Sequence, residues 1–124
     1  MTWQDKVSLK RFLIGCLLAF LTACSSSQPG LSPLADDAVI LAYGDSLTFG
    51  TGANSDTESY PAVLAQLTQR QVVNAGVPGE ISSEGLDRLT TMLEQHQPDL
   101  VILCHGGNDL IRRLDKHQLK SNLT

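Results

Sequence analysis

The stretch Ala-Val-Ile-Leu-Ala-Tyr-Gly-Asp-Ser-Leu, residues 38–47, decides how this chain folds. Its apolar first part, Ala38–Tyr43, predicts a buried strand, and Gly44 then permits a sharp turn. Ser46 follows at the strand's carboxyl end, which is where open α/β sheets bind their ligands. The stretch predicts a serine hydroxyl on a rigid base, as a nucleophile requires. An ordinary turn containing Ser and Asp is the alternative that it leaves open.

The first 23 residues have the three parts of a secretory signal. Basic side chains precede an apolar segment, 12–21, that is shorter than the ~20 residues of a membrane-spanning helix. The segment ends in Leu-Thr-Ala-Cys at 21–24, which resembles the lipobox of bacterial lipoproteins, where cleavage precedes a cysteine that becomes lipidated. We therefore predict a lipoprotein signal peptide over 1–23, with an ordinary signal cut near Ala23 as the alternative.

A lipidated Cys24 implies a location in the bacterial cell envelope, with the membrane as a partner. Residues 24–37 are rich in Ser and Pro and predict a flexible tether, so the folded domain is expected over 38–124. Ser25 resembles the pattern for sorting to the outer membrane rather than retention in the inner membrane. The expected location is the periplasmic side of the outer membrane.

Charge and cysteine content narrow the partners further. The chain of 124 residues has a formal net charge of −4, and loss of the basic signal segment makes the rest more acidic. This balance argues against nucleic acid as a partner. Cys16 leaves with the signal and Cys24 would be acylated, so Cys104 remains as a thiol and no disulfide framework is expected. We expect a monomer.

Short apolar runs alternate with helical patterns along the predicted domain. This alternation predicts βαβ units, and hence an α/β domain with a parallel sheet. The third run is apolar throughout, which predicts a strand buried on both faces. The predicted strands are 38–43, 71–74 and 100–104.

The predicted helices follow the first, second and third strands. The first, over 59–69, has Pro61 in its first turn, where a missing N–H costs nothing. The second is expected to be capped by Ser82 or Ser83. The apolar residues of the first helix that share one face are Val63, Leu64 and Leu67.

The last helical pattern begins at Asp115, and no terminating glycine or proline follows it. Three parallel strands also form a small sheet for a fold that covers both of its faces. We therefore expect the domain to be incomplete at its C-terminus.

Three glycine-containing turns, each after a predicted strand, would gather Ser46, Gly79 and Asn108 at one edge of the sheet. Acyl transfer needs a nucleophile beside N–H donors for the developing oxyanion. The backbone N–H groups of Ser46 and Gly79 and the side-chain amide of Asn108 would supply three donors, and glycine at 79 allows close approach of substrate. The convergence predicts an acyl-transfer site.

At these residues the chain resembles the SGNH hydrolases, also called the GDSL lipases and esterases. Gly44–Leu47 resembles the first family block, with Ser46 as nucleophile, and residues 74–79 resemble the second, with Gly79 as oxyanion glycine. Gly-Gly-Asn-Asp at 106–109 resembles the third, with Asn108 as oxyanion asparagine.

The resemblance is strongest to bacterial arylesterases, acyl-CoA thioesterases and lysophospholipase L1-like lipoproteins. It implies a three-layer, flavodoxin-like sandwich with a parallel sheet. It also implies hydrolysis of small acyl esters or thioesters, with no metal and no cofactor.

One family block is missing from the sequence. The family's Asp-x-x-His block supplies the catalytic base and its orienting acid, and no aspartate lies three residues before His96, His105 or His117. A serine hydroxyl without a base is a weak nucleophile at neutral pH. We therefore expect the chain to be inactive, or nearly so, alone. The alternative is a non-catalytic, lipid-anchored fragment or the product of a degenerate gene.

Other polar residues near the blocks have structural interpretations. Asp45 is expected to fix its turn rather than serve as a triad acid. His105 is expected to line the pocket, since a base would need an orienting acid. Asp109 is expected to cap the following helix or support its turn. Cys104 is expected to be a buried apolar residue, and the pair Arg112–Arg113 a solvated face.

The sequence does not match two other motifs, the nucleophile elbow of the α/β-hydrolases and the phosphate-binding loop. The α/β-hydrolase elbow, Gly-x-Ser-x-Gly, fails because Thr48 stands in the fifth place. A phosphate-binding loop fails because no Gly-Lys-Ser/Thr follows any strand.

Overall fold

The computed structural model describes residues 30–124, within which Leu34–Thr124 form one compact unit. The predicted signal peptide, the lipidation site Cys24 and the first residues of the tether lie outside the described residues. No helix within 30–124 has the length and apolar character needed to cross a membrane.

Strands and helices alternate along the described part, as the sequence predicts. β1 and β2 differ from their predicted bounds by one or two residues, and β3 has the predicted bounds. In chain order the elements are β1 (Val39–Gly44), α1 (Ser46–Phe49), α2 (Tyr60–Thr68), β2 (Gln71–Gly76), α3 (Ser82–His96), β3 (Leu100–Cys104), α4 (Gly107–Ile111) and α5 (Lys116–Asn122).

The strands form a parallel sheet in the order β2-β1-β3. Gly44, the last residue of β1, lies opposite Gly76 of β2 and Cys104 of β3. This register aligns the carboxyl ends of all three strands, so the loops that follow them leave from the same edge.

Helices lie on both faces of the sheet. Leu41, Tyr43 and Ala75 point to one face and form a core with Leu89 and Met92 of α3. Successive strand residues alternate between faces. Gly44 and Gly76 therefore belong to the opposite face, where they contact α1. The predicted α/β architecture with a parallel sheet is confirmed.

The packed face of α2 differs from the predicted one. Ser59 caps this helix through its Oγ, which accepts the N–H of Ala62 at 3.4 Å, and Pro61 is buried in the first turn as predicted. Val63 and Leu67, however, are exposed. Burial of Pro61 fixes which side of the helix meets β2, so these side chains lie away from the sheet.

The prediction that β3 is buried on both faces was wrong. Val101 and Leu103 are 38% and 51% exposed. Within 30–124 this strand pairs with β1 alone and therefore forms an edge of the sheet. Cys104 at its end is only partly buried, in contrast to the fully buried residue expected. An apolar run reports the hydrophobicity of a strand but does not specify its neighbours.

The cap of α3 also differs from the prediction. Ile81 is the N-cap and has no capping side-chain acceptor, while Ser82 is the first helical residue. Glu84 accepts the N–H of Ile81 at 3.0 Å, and Asp109 accepts the N–H of Ser82 at 2.8 Å. Glu84 of the helix itself and Asp109 of α4 thus satisfy these two N–H groups, and neither Ser82 nor Ser83 caps the helix.

Candidate active site

The loops after the three strands meet at one edge of the sheet. The β2–α3 loop is tied to β1 by the N–H of Val77, which donates to the carbonyl of Gly44 at 3.0 Å. It is tied to α4 by Asn108, whose Nδ2 donates to the carbonyl of Glu80 at 2.9 Å. The segments that carry Ser46, Gly79 and Asn108 are therefore held together in one site.

Ser46 is the first residue of α1 and is partly buried. The turn before it is fixed by Asp45, which is 4% exposed and accepts the N–H of Leu47 through Oδ1 at 3.0 Å. Asp45 thus supports the turn, as the sequence analysis predicts. No hydrogen bond joins it to a histidine within the described residues.

Gly79 lies in a tight turn formed by residues 77–80. The N–H of Glu80 donates to the carbonyl of Val77 at 3.2 Å, with Pro78 and Gly79 between them. The φ of Gly79 is +81°, which a type II turn requires at this position and which glycine adopts without strain. Within 30–124 the hydrogen bonds of Gly79 use its carbonyl and not its N–H, so this donor faces no protein acceptor there.

Asn108 ties the third loop to the second through its side-chain amide, which also lies near the first. Nδ2 lies 2.9 Å from the carbonyl of Glu80 and 3.5 Å from Oδ2 of Asp45. Only the first distance is that of an ordinary hydrogen bond. Because Nδ2 carries two hydrogens, the contact to Glu80 fixes the amide and leaves a second donor for a ligand.

Asp109 supports the site in a way the sequence does not indicate. It lies within α4, and its carboxylate accepts two hydrogen bonds from Ser82, one from the backbone N–H at 2.8 Å and one from the hydroxyl Oγ at 2.6 Å. The predicted role at the following helix is corrected: Asp109 caps α3 and holds the third loop against it. Asn122 of α5 donates to the same Ser82 hydroxyl at 2.9 Å.

A buried charged cluster of Glu80, Arg88 and His105 lies beneath the loops, and the sequence analysis missed it. The Glu80 carboxylate accepts hydrogen bonds from Nε and Nη2 of Arg88 at 2.5 and 2.7 Å. Nε2 of His105 lies 2.9 Å from Oε2 of Glu80. Burial raises the pKa of Glu80, but the hydrogen bonds from Arg88 and His105 and the charge of Arg88 lower it by more, so the net pKa falls below 4.5.

His105 is held at both ring nitrogens. Its Nδ1 accepts the N–H of Gly106 at 2.9 Å, so the proton resides on Nε2 and is donated to Glu80. His105 lines a cleft with Tyr43 and Leu103, but Ser46, Gly79 and Asn108 do not line that cleft, so the predicted place of His105 in the pocket of the site stays a prediction. With both nitrogens engaged, His105 is not arranged as a base for Ser46.

Tyr43 closes the cluster from the side of the core. Its hydroxyl donates to the carbonyl of Gly85, and the guanidinium of Arg88 lies 4.0 Å from its ring centroid. Burial raises the pKa of Tyr43 to about 12, because the lowering effect of Arg88 is weaker and Glu80 adds to the increase. The phenol is therefore neutral across the physiological range.

Arg112 also contacts the site, while Arg113 is exposed as predicted. Arg112 is exposed too, but its Nη2 donates to the carbonyl of Gly79 at 2.6 Å. The sequence analysis treated both as a solvated face. The contact adds a second restraint on the 77–80 turn.

Within 30–124 no histidine hydrogen bonds to Ser46, and no group of three or more His, Cys, Asp and Glu side chains is arranged to hold a metal ion. The loops present a serine hydroxyl, the N–H of Gly79 and the amide of Asn108 at the same edge of the sheet. These are the parts that bind and attack a carbonyl group.

Comparison with known proteins agrees with this geometry. Residues 42–124 match the GDSL-like lipase/acylhydrolase family. Thioesterase 1/protease 1/lysophospholipase L1 of Escherichia coli (strain K12) is 40% identical over 86 residues, which cover 68% of this chain and 41% of that protein. Esterase TesA of Pseudomonas aeruginosa is 32% identical over 117 residues, covering 90% and 53% of the two chains.

The crystal structure of AlinE4, an SGNH-hydrolase family esterase, aligns with a TM-score of 0.66 at 38% identity. The alignment covers 73% of this chain and 51% of that one. The chain thus spans about half the length of the relatives it matches. Since the family match extends over most of the chain and includes all three loops, the chain belongs to the GDSL, or SGNH, hydrolase family.

Proposed function

We propose that this protein is a serine hydrolase that cleaves small acyl esters or thioesters at Ser46. The observation that carries the proposal is the convergence of the three loops, in which the N–H of Val77 donates to the Gly44 carbonyl and Nδ2 of Asn108 donates to the Glu80 carbonyl. The names of the relatives, which are esterases and a thioesterase, support the same reaction class.

In the proposed reaction Oγ of Ser46 attacks the carbonyl carbon of the substrate. The carbonyl oxygen becomes an oxyanion that accepts from the N–H groups of Ser46 and Gly79 and from Nδ2 of Asn108. The bond to the leaving group then breaks, and the alcohol or thiol departs with the proton lost by Ser46. Water hydrolyses the acyl-serine to release the carboxylic acid.

We further propose that the 124-residue chain performs this reaction slowly. Proton transfer from Ser46 needs a base, and no histidine contacts Ser46 within 30–124. Loss of a triad member reduces kcat by roughly 10⁴ to 10⁶ in serine hydrolases, while oxyanion donors and binding leave some residual catalysis. The same observation favours the second candidate, a non-catalytic protein.

Acetylation by p-nitrophenyl acetate distinguishes these candidates. We expect slow release of nitrophenolate and a single acetyl group on the peptide that contains Ser46, both absent in Ser46→Ala. Ser83→Ala, which removes an exposed serine of α3, is the matched control and should behave as the wild type. Equal acetylation of wild type and Ser46→Ala would exclude the hydrolase. Rapid, Ser46-dependent turnover would contradict the slow reaction.

We propose that Cys24 carries a lipid that anchors the protein in the bacterial envelope, on the periplasmic side of the outer membrane. In cells of a Gram-negative host, the mature protein should begin at Cys24, incorporate labelled palmitate and fractionate with membranes. Cys24→Ala should lose the label, whereas Cys16→Ala should retain it because that residue lies within the predicted signal. Palmitate incorporation by Cys24→Ala would contradict the assignment.

A further inference from the structure

We propose that Glu80 and His105 are positioning residues for the oxyanion donors, with Glu80 as the residue that couples the second loop to the third. The inference rests on the proposed hydrolase function and assigns a role to a cluster whose side chains form no hydrogen bond with Ser46 within 30–124. Four groups of contacts converge on Glu80: its N–H, its carbonyl and both carboxylate oxygens.

The backbone of Glu80 sets two of the donors. Its N–H closes the turn that contains Gly79, and its carbonyl holds Nδ2 of Asn108 at 2.9 Å. A displacement of Glu80 would therefore disturb both the turn that presents the N–H of Gly79 and the amide of Asn108. The two donors behave as a unit whose orientation depends on how firmly Glu80 is held.

The carboxylate of Glu80 holds that backbone in place. Its side chain is 6% exposed and binds Arg88, whose Nη2 also donates to the carbonyls of Ala75 at 2.8 Å and Gly44 at 3.3 Å. Arg88 thereby connects Glu80 to the ends of β1 and β2. Charge-assisted hydrogen bonds of this kind are stronger and more directional than neutral ones.

His105 connects the same carboxylate to β3. Its ring donates from Nε2 to Glu80 and accepts at Nδ1 from Gly106, two residues before Asn108. The ring has little room to move, since a Cβ added at Gly85 would lie 2.6 Å from Nε2. Confined and hydrogen-bonded at both nitrogens, the imidazole serves as a rigid link between the second and third loops.

This role predicts a specific loss on mutation. Displacement of the donors weakens binding of a tetrahedral oxyanion. It weakens binding of the planar substrate much less, because the oxyanion position is occupied only after attack. A tetrahedral analogue therefore reports on the donors without requiring turnover. Phenylboronic acid is suitable: its boron bonds to a serine Oγ, the serine proton is released, and a boron-bound hydroxyl occupies the oxyanion position.

The experiment measures binding of phenylboronic acid to the full chain and its variants by ¹¹B NMR and calorimetry. We expect Ser46-dependent binding by the wild type, and binding weaker by at least about tenfold in His105→Ala and in Glu80→Gln. His105→Gln should bind within about threefold of wild type, since its side-chain amide can replace the Nε2 donor. Glu94→Gln, at an exposed position of α3, is the control and should match the wild type.

The outcomes separate the inference from the function on which it rests. If the wild type fails to bind, or binds as Ser46→Ala does, the proposed function fails and the inference with it. If the wild type binds through Ser46 but folded His105→Ala and Glu80→Gln bind equally well, the inference alone is overturned. Binding by His105→Gln as weak as that of His105→Ala would also overturn it. Dispersed ¹H–¹⁵N spectra establish that each variant is folded.

Discussion

Replacing Gly44 by alanine should lower the free energy of unfolding by about 3 kcal/mol, the upper end of the range for overpacking. The added Cβ would collide with Oγ1 of Thr48 on one side and with the carbonyl oxygen of Cys104 on the other. Thr48 is fully buried, and the Cys104 carbonyl belongs to the backbone of β3, so neither neighbour can move cheaply. For a domain of this size the loss corresponds to a fall of roughly 12 to 24 °C in Tm, measured by circular dichroism.

Two other glycines provide controls of graded severity. A Cβ at Gly30 or at Gly52 meets no atom within 4 Å, but Gly52 has a φ of +95°. Gly30→Ala should leave Tm unchanged, and Gly52→Ala should cost about 1 kcal/mol through backbone strain alone. A Gly44→Ala variant no less stable than Gly52→Ala would show that α1 is not packed against the strand ends as described.

The close packing around Gly44 is a feature that the local sequence predicts well. An apolar run that ends in glycine and serine carries local information: the run forms the strand, and the glycine permits the close approach of α1. Pro61 in the first turn of α2 is another local signal, and it is likewise confirmed. Such features depend on a few neighbouring residues, so they can be recognised without knowledge of the tertiary structure.

The features that the sequence did not predict depend on distant partners. The N–H of Ser82 is satisfied by Asp109, which lies 27 residues away along the chain. The exposure of Leu103 depends on the position of β3 in the sheet. Glu80 and His105 are 25 residues apart, and no spacing rule links a glutamate after a glycine turn to a histidine at a strand end. The charged cluster became apparent only when the three loops were brought together.

Replacing Arg88 by methionine should lower the free energy of unfolding by about 3 kcal/mol at pH 7, because the buried Glu80 carboxylate would lose its charged partner. The Arg88 side chain is 22% exposed, so the expected loss of stability lies at the lower end of the range for a buried ion pair. The carbonyls of Ala75 and Gly44 would lose a donor in the same variant. Urea unfolding followed by circular dichroism measures the difference. A loss below about 0.5 kcal/mol, the level of a surface substitution, would contradict the cluster.

The pH dependence of the Arg88→Met variant gives a more specific test of the same cluster. In the wild type the pKa of Glu80 is lowered from 4.5, so its stabilising contribution is present above pH 4.5 and is lost as the pH falls through the lowered value. Without Arg88, burial dominates and the pKa of Glu80 should rise. As the pH falls from 7 toward 4.5, protonation of Glu80 removes the unpaired buried charge and so reduces the destabilisation of Arg88→Met. The stability gap between the two proteins should therefore narrow over this range.

Glu80→Gln/Arg88→Met should be more stable than Arg88→Met at pH 7, since an uncharged residue leaves no unpaired buried charge. A gap that stays constant with pH would show that Arg88 stabilises the protein through its apolar stem rather than through Glu80.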